Sequence, residues 1–262
     1  MDINTLTQIA YKASVDAGQA IMNIYLSNDF GVEKKSDESP LTKADLAAHQ
    51  TIIKYLESTN IPILSEEAAN ISFQDRKQWN RFWLVDPLDG TKEFIKKNDE
   101  FTVNIALIEN HRPIIGIVYL PVFKSVYIGA QGLGSFHSEY CPENVSEIMT
   151  KVNQLPKALP SIYTVVGSRS HMNEATQEYF QTLEKMYGKI DIISTGSSLK
   201  LCMVAEGKAH EYPRFGPTME WDTAAGDAVA YFSGAKVTKD DGITPLNYNK
   251  ENLLNPFFIV KR

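Results

Sequence analysis

Trp83-Leu84-Val85-Asp86-Pro87-Leu88-Asp89-Gly90-Thr91 is the segment from which the rest of the sequence is most easily interpreted. Residues 81–85 are apolar and aromatic, as in a buried strand, and they run directly into a turn. Pro87 fixes its own φ and keeps Asp86 extended, so we expect Asp86 to end the strand. Gly90 supplies the positive φ of a sharp reversal, and Thr91 is predicted to be the N-cap of a short helix through Ile95.

This turn can bring two carboxylates and a helix N-terminus to one place. Asp86 and Asp89 would point toward the same spot, and the backbone N–H groups of Gly90 and Thr91 would face it. Carboxylates suit hard divalent cations, and a helix N-terminus suits a phosphate. An ordinary turn also fits, because Asp-Pro and Asp-Gly are common where Asp bonds its own backbone.

The residues around this turn resemble a known family. The nonapeptide resembles the W-[IL]-[IV]-D-P-[IL]-D-G-T signature of the inositol monophosphatase superfamily, whose members are Mg²⁺-dependent, lithium-sensitive phosphomonoesterases. The continuation Lys92-Glu93-Phe94 resembles the D-G-T-K-E-F of the bisphosphate nucleotidase branch, where inositol monophosphatases typically read D-G-T-T-N-F. Trp221-Asp222-Thr223-Ala224-Ala225-Gly226 resembles the second signature, W-D-x-A-A-[GA]. On its own, Asp222 equally fits a helix N-cap.

Length, charge and cysteine content exclude several classes of protein. The 262 residues can bury a large core, as one large domain or two subdomains. A net charge of −6 argues against a protein that wraps polymeric nucleic acid. Cys141 and Cys202 are too few for a disulfide framework, Met1-Asp2 does not begin a signal peptide, and no apolar run approaches the roughly 20 residues that span a bilayer. We therefore expect a cytoplasmic protein, and the resemblance is compatible with peripheral association with the inner membrane face. The sequence does not indicate the oligomeric state.

Apolar periodicity and turn residues predict two halves, residues 1–150 and 151–262. In the first, Asp2 should cap a helix with the inward stripe Ile3, Leu6, Ala10, Ala13, Ala17, Ala20 and Ile24. A polar loop over 28–40 precedes a helix from Thr42 with the inward residues Leu46, Ile52, Ile53 and Leu56. Strands are predicted over 61–64, 81–85, 101–108, 113–119, 125–130 and 135–136, forming an antiparallel sheet with the early helices on one face.

The second half alternates strands and helices, after a polar, proline-containing boundary at 141–158. The predicted strands are 162–166, 190–194, 235–238 and 257–260; the predicted helices are 173–186, 198–205 and 221–232. The fold class is therefore α/β (α+β). The resemblance implies the layered α-β-α-β-α sandwich of the inositol monophosphatase and sugar phosphatase type.

Two further acidic motifs precede the central turn. Asp45 would lie at N3 of its helix, where a carboxylate bonds back to the cap, and Pro40-Leu41-Thr42-Lys43-Ala44-Asp45 also resembles the family's P-x-T-x-x-D element. In relatives that Asp helps to bind a weaker metal or orients the attacking water. Ser65-Glu66-Glu67 fits a solvated loop after a strand, and it resembles the S-E-E segment that supplies a metal-binding Glu.

The resemblance implies a role for each of these residues. Two Mg²⁺ ions, with a third as an option, would be held by Glu66, Asp86, the Leu88 carbonyl, Asp89 and Asp222. Asp86 would bridge both ions, Glu66 and Leu88 would serve the first, and Asp89 and Asp222 the second. The catalytic set is Asp45, Glu66 and Thr91, with the Thr91 hydroxyl orienting water and the Gly90 and Thr91 N–H groups holding phosphate oxygens. No G-x-S-x-G or Cys/His signature supports covalent catalysis.

Segments in the second half resemble those that contact the nucleotide in CysQ-type 3′(2′),5′-bisphosphate nucleotidases. They are S-R-S-H at 168–171, G-S-S-L-K at 196–200 and Y-P-R-F-G-P at 212–217. The positions carried over are His171, Ser197, Lys200 and Arg214, which complete a substrate-binding set with Glu66, Leu88, Asp89, Gly90, Thr91 and Asp222. Arg169 equally fits a surface ion pair, and a Gly-Ser turn before a helix equally fits a plain cap.

The resemblance therefore implies a small-molecule substrate and a place in sulfur assimilation. The expected reaction is hydrolysis of the 3′-phosphate of adenosine 3′,5′-bisphosphate to AMP, with the sulfated form PAPS as a further candidate substrate. An inositol monophosphatase or a sugar bisphosphatase with the same metals stays an alternative. So does a non-catalytic nucleotide sensor, although a sensor need not retain every metal carboxylate.

Overall fold

The computed structural model describes residues 1–27, 29–34, 40–168 and 173–262, and every structural statement refers to those ranges. The helices are α1 (Ile3–Ser27), α2 (Lys43–Leu56), α3 (Phe73–Arg76), α4 (Thr91–Lys96), α5 (Glu174–Tyr187), α6 (Leu199–Glu206) and α7 (Glu220–Phe232), with 3₁₀ turns at Glu57–Thr59, Glu66–Ala68 and Val145–Glu147. The strands are β1 (Glu33–Lys34), β2 (Pro40–Leu41), β3 (Ile63–Ser65), β4 (Arg81–Asp89), β5 (Thr102–Glu109), β6 (Arg112–Leu120), β7 (Ser125–Ala130), β8 (Gly134–Ser138), β9 (Tyr163–Ser168), β10 (Ile190–Thr195), β11 (Glu211–Arg214), β12 (Lys236–Lys239) and β13 (Phe258–Lys261). None of these helices combines the length and apolar character needed to cross a bilayer.

The first sheet has the order β3-β4-β5-β6-β7-β8. Its pairs are antiparallel from β4 to β8, as predicted, whereas β3 pairs with β4 in parallel. The prediction that Asp86 ends the central strand is wrong, because β4 continues to Asp89. Asp86 pairs with Asn104 and Asp89 with Thr102, and the register shifts between the two pairs. Pro87 lies in this irregular stretch, where its missing N–H does not interrupt the ladder.

The second sheet has the order β10-β9-β11-β13-β12. β10, β9 and β11 are parallel neighbours, while β13 runs antiparallel to β11 and β12. The sequence did not predict β11, because Pro213 lies within it and proline argues against an interior strand. This strand places Tyr212 in the core and Arg214 at the end of the sheet.

The helices and sheets alternate in five layers. α1 and α2 pack together on one face of the first sheet, and α7 packs on its other face against β4, β5, β6 and β7. α6 contacts both α7 and the strands of the second sheet, and α5 lies outside that sheet against β10. This is the predicted α-β-α-β-α order. The division at residue 150 stays a prediction, since one apolar cluster contains residues from both halves, such as Phe82, Val118, Leu201 and Val229.

Small residues allow α7 to approach the first sheet closely. A Cβ atom at Gly116 would lie 2.2 Å from the Ala225 carbonyl oxygen, and one at Gly129 would lie 2.6 Å from that of Ala228. The strands of the first sheet are consequently buried on both faces, with the early helices on one face, as predicted, and α7 on the other.

The predicted inward faces of the first two helices need correction. Asp2 accepts a hydrogen bond from the Thr5 N–H at 2.8 Å and begins α1 as expected, and Ile24 packs against the core, but Ala20 and Ile24 are only partly buried whereas Ile21 and Tyr25 are buried. Leu46 is 44% exposed, so its predicted inward position is wrong. The buried row of α2 is Ala44, Ala48, Ile52 and Leu56, spaced by four residues, and Leu46 is not part of it.

Candidate active site

The turn after β4 differs from the prediction at Thr91. Gly90, with φ +96°, is the N-cap of α4, and Thr91 is the first helical residue. Because an N-cap has non-helical φ and ψ, Thr91 cannot fill that position here. Its hydroxyl instead donates to Oδ1 of Asp45 at 3.1 Å, and the Leu88 carbonyl oxygen is a second, more distant acceptor at 3.3 Å. A Cβ atom at Gly90 would lie 3.1 Å from the Glu100 carbonyl oxygen, so space as well as φ favours glycine.

Asp45 connects helix capping with the turn. Its Oδ2 accepts hydrogen bonds from the Thr42 N–H at 2.7 Å and the Thr42 hydroxyl at 2.6 Å, which confirms the predicted capping box. Its Oδ1 accepts from Thr91. The side chain is almost completely buried, at 1% exposure, so these three hydrogen bonds are shielded from solvent. Asp45 therefore caps α2 and holds the Thr91 hydroxyl at the same time.

Asp86 lies at the centre of a group of carboxylates. It is 2% exposed, and its Oδ1 accepts a hydrogen bond from the Leu88 N–H at 3.1 Å. Burial and the negative charges of Glu66, Asp89 and Asp222 raise its pKa well above the ordinary range. Burial and the charge of Asp89 likewise raise the pKa of Asp222. The structure thus brings four predicted carboxylates from β4, α7 and the turn after β3 into one electrostatic cluster.

Asp89 contacts the second half of the chain directly. Its Oδ2 accepts hydrogen bonds from the Ser197 hydroxyl at 2.5 Å and the Ser198 N–H at 2.6 Å, and the Asn104 amide lies 3.4 Å away. The link spans more than 100 residues of sequence. The carboxylate turn and the G-S-S segment therefore form one structural unit.

Asp222 occupies N3 of α7, where its Oδ2 accepts a hydrogen bond from the Met219 N–H at 2.8 Å. The helix begins at Glu220 and its N-cap is Met219, so the prediction that Asp222 is the N-cap is wrong. The Asp222 carboxylate nevertheless bonds back to the N-cap residue. The next turn of the helix is held by Asn255, whose amide donates to the Met219 carbonyl oxygen at 2.8 Å and to the Thr223 hydroxyl at 2.9 Å.

The donor set fits a hard divalent cation in its chemistry. All the donors are oxygens, and crowding of buried carboxylates is the electrostatic situation that a cation relieves. In the described ranges, however, no three acidic, His or Cys side chains stand in an arrangement that by itself could hold a metal. Asp86, Asp89 and Asp222 are instead oriented by N–H and hydroxyl donors of the protein.

Lys200 and Arg214 are the two cations of the predicted nucleotide segments. Lys200 is 8% exposed, and its Nζ donates to the carbonyl oxygen of Ser197 at 2.6 Å. Burial lowers the pKa of Lys200 to about 8, although the Asp89 charge opposes the change. Arg214 is half-buried; Nη2 donates to the Pro217 carbonyl oxygen at 2.9 Å, and Nε is a buried donor without a hydrogen-bond partner in the described residues.

A single cleft of about 170 Å³ joins the two predicted groups. Its lining includes Asp89, Gly90 and Asp222 from the two carboxylate motifs, and Ser197, Lys200 and Arg214 from the predicted nucleotide segments. Asp45, Glu66, Asp86, Leu88 and Thr91 do not line it. His171 and Arg169, both predicted from S-R-S-H, lie outside the described residues.

Sequence reasoning missed three polar residues that bind this unit together: Thr102, Asn104 and Ser198. Thr102 and Asn104 lie two apart on β5, and so on one face of an otherwise apolar strand. Each is 1% exposed. Because buried polar side chains require partners, a polar pair at this spacing is the signal that could have revealed them.

Comparisons with known proteins agree with this architecture. The sequence matches the inositol monophosphatase family over residues 2–256. It is 48% identical over 249 residues to the 3′(2′),5′-bisphosphate nucleotidase CysQ of Salmonella typhimurium, covering 94% of this chain and 95% of the relative, and equally to CysQ of Escherichia coli K12. The crystal structure of CysQ from Bacteroides thetaiotaomicron superposes with a TM-score of 0.90 at 43% identity, covering 98% of this chain and 97% of that one. Inositol monophosphatase from Anabaena shares the fold, with a TM-score of 0.72 at 23% identity over 100% of this chain and 92% of that one.

Proposed function

This chain belongs to the inositol monophosphatase family, and on that premise we propose that it is a Mg²⁺-dependent 3′(2′),5′-bisphosphate nucleotidase. Water would hydrolyse the 3′-phosphate ester of adenosine 3′,5′-bisphosphate, releasing phosphate and AMP. The relatives of similar length that carry this activity in their names support the substrate class.

One observation carries the proposal: carboxylates and cations line the same cleft. Asp89 and Asp222 line it together with Lys200 and Arg214. A substrate with two phosphate groups can place one group near the carboxylates, through a metal, and the other near the cations. A monophosphate such as inositol 1-phosphate has no second phosphate for the cations to bind.

The protein groups near the turn suit hydrolysis by water. Thr91 donates its proton to Asp45, so the lone pairs of its Oγ1 can accept a hydrogen bond from an attacking water. Backbone N–H groups at Gly90 and Thr91, at the start of α4, favour phosphate oxygens. We assign Glu66, Asp86, the Leu88 carbonyl, Asp89 and Asp222 to two Mg²⁺ ions. When bound, these ions supply positive charge against the phosphate and the leaving oxygen.

Arg214 is the residue best suited to the second phosphate. Its Nε is a buried donor left without a protein partner in the described structure, and a guanidinium binds phosphate oxygens with charge-assisted hydrogen bonds. Lys200 adds a buried charge to the lining of the same cleft, although its Nζ already donates to the Ser197 carbonyl.

A phosphate-release assay over a panel of substrates tests the function. The panel contains adenosine 3′,5′-bisphosphate, PAPS, inositol 1-phosphate and fructose 1,6-bisphosphate, each with Mg²⁺ and with EDTA. We expect Mg²⁺-dependent release to be fastest from adenosine 3′,5′-bisphosphate. Faster release from inositol 1-phosphate or the sugar would assign a different member of the family, and nucleotide binding without any release would indicate a sensor.

A further inference from the structure

We propose that Thr102 and Asn104 on β5 are positioning residues that lock the carboxylate of Asp89 to the start of α6. The lock would couple two parts of the site, so that the 197–200 segment, which would hold the second phosphate, moves together with the proposed metal ligand Asp89. This inference rests on the proposed function for its consequence, whereas its structural part concerns only the orientation of Asp89.

Thr102 is the centre of the contact. Its Oγ1 lies 2.6 Å from the Ser197 hydroxyl, 2.9 Å from the Ser198 hydroxyl and 3.1 Å from Oδ1 of Asn104. It also pairs directly with Asp89 across the β4–β5 ladder. One buried hydroxyl therefore joins the strand that carries the carboxylate turn to the segment that opens α6.

Asn104 extends the same network to Asp89. Its Oδ1 accepts from the Ser198 hydroxyl at 2.8 Å and lies 3.1 Å from the Thr102 hydroxyl, while its Nδ2 faces Oδ2 of Asp89 at 3.4 Å. An amide can accept and donate at once, so Asn104 satisfies Ser198 and Asp89 together. Within the described residues, the hydrogen-bond donors to Asp89 all bond Oδ2, which leaves Oδ1 for a ligand from the cleft.

The backbone around the network leaves little room for another arrangement. A Cβ atom at Gly196 would lie 2.9 Å from Oε2 of Glu100, so the chain before Ser197 runs close against the segment before Thr102. Ser197 has φ +51°, a left-handed conformation that a non-glycine residue adopts only when its surroundings hold it. Here the hydrogen bonds of the Ser197 hydroxyl with Thr102 and Asp89 hold this conformation.

The functional consequence is that binding of the second phosphate can help to orient Asp89. Binding energy from a part of the substrate that does not react can orient groups at the reacting phosphate. Contacts between the second phosphate and the 197–200 segment would reach Asp89 through two hydrogen bonds. The lock should therefore raise kcat for a bisphosphate more than for a monophosphate.

Thr102→Val tests the lock, because valine keeps the shape and removes the hydroxyl. Mn²⁺ binding without substrate is followed by calorimetry. Partners that orient a metal ligand typically change metal affinity by about 10- to 100-fold, so we expect the Mn²⁺ dissociation constant to rise by that order. Thr102→Ser retains the hydroxyl and should restore near-normal affinity. Thr164→Val, which removes the hydroxyl of another buried strand threonine on β9, is the matched control and should leave Mn²⁺ binding unchanged.

The outcomes separate this inference from the proposed function. Unchanged Mn²⁺ binding in Thr102→Val would overturn the lock even if adenosine 3′,5′-bisphosphate is the substrate. Weakened binding in a protein that does not hydrolyse the bisphosphate would support the lock and reject the function. If Thr102→Val does not fold, Ser198→Ala provides the same readout, since it removes the hydroxyl between Thr102 and Asn104 and keeps the N–H that bonds Asp89. In an active enzyme, Thr102→Val should also lower kcat for the bisphosphate more than for 3′-AMP, and an equal loss on both would contradict the coupling.

Discussion

The Thr91 hydroxyl donates to Oδ1 of Asp45 over 3.1 Å, although 46 positions separate the two residues in sequence. Asp45 is itself fixed by two hydrogen bonds from Thr42. The direction of the Thr91 proton is therefore set by the cap of another helix. Its oxygen is left with lone pairs for a water molecule.

Thr91→Val should abolish this water-orienting function while the fold is kept. Acid–base and water-orienting groups typically contribute 10²- to 10⁴-fold, so kcat on adenosine 3′,5′-bisphosphate should fall by roughly that factor. Steady-state phosphate release and circular dichroism provide the measurements. Thr91→Ser, which retains the hydroxyl, should stay within about tenfold of the wild type, and an equally inactive serine variant would assign the loss to packing.

Asp89→Asn should inactivate the enzyme without unfolding it. The amide keeps the shape of the carboxylate and removes the negative charge that a divalent cation requires, so kcat should collapse. Phosphate release at saturating Mg²⁺ and the circular dichroism spectrum are compared with those of Asp240→Asn. Asp240 is exposed after β12, and its substitution should change neither measurement. Near-normal turnover by Asp89→Asn would remove Asp89 from the proposed metal site.

Arg214→Ala should change substrate preference. A charge-assisted hydrogen bond is worth about 1.5–3 kcal/mol, or roughly 10- to 150-fold in kcat/KM. We expect a loss of that order on adenosine 3′,5′-bisphosphate and a much smaller one on 3′-AMP, which has no second phosphate. Lys189→Ala, at a side chain that is 81% exposed, is the control for loss of a positive charge.

Lys200→Ala should behave less selectively than Arg214→Ala. The Lys200 ammonium donates to the Ser197 carbonyl, so its removal also disturbs the loop that contacts Asp89. We expect kcat/KM to fall on both the bisphosphate and 3′-AMP, with the larger loss on the bisphosphate. A loss confined to the bisphosphate would show that Lys200 acts on the substrate alone. If each of the two variants, Lys200→Ala and Arg214→Ala, lost as much kcat/KM on 3′-AMP as on the bisphosphate, neither residue would support the nucleotide assignment.

Glu206 should make stability depend on pH. Burial alone would raise its pKa, but hydrogen bonds from His137, Tyr127 and Lys208 outweigh burial and lower the pKa to about 2 from an ordinary 4.5. Because the folded pKa is the lower one, the stabilisation is complete above 4.5 and is lost as the pH falls toward 2. A shift of this size corresponds to about 3 kcal/mol.

Glu206→Gln should therefore lower the free energy of unfolding at pH 7 by up to about 3 kcal/mol. The difference from wild type should shrink as the pH falls below 4.5. Urea titrations at pH 7, 5 and 3.5 measure it, with the exposed Glu147→Gln as the control. A difference that stays constant across this range would mean that the carboxylate charge does not contribute.

Local signals in the sequence predicted most elements correctly. Strand β7 over Ser125–Ala130 has the predicted bounds, and α6 ends before Gly207 with its positive φ of +90°. Errors occurred where the burial or the hydrogen bonds of a residue depend on distant parts of the chain. Leu46 was assigned to the core by its apolar character alone, and Thr91 was assigned as a cap although its hydroxyl bonds Asp45 on another helix. Strand β11 was missed because its pairing with β13 overrides the unfavourable Pro213.

The residue order alone predicted the carboxylates and the phosphate-binding turn. The W-x-x-D-P-x-D-G-T and W-D-x-A-A-G segments name the carboxylates, because a cation site and a phosphate-binding turn need particular side chains at short spacings. Folding alone made Asp89 a neighbour of Ser197 and Ser198, and placed Thr102 and Asn104 between them. Such contacts join strands and helices about 100 residues apart, and no local periodicity encodes them. They depend on the packing of two sheets around α6 and α7, which only the complete tertiary structure produces.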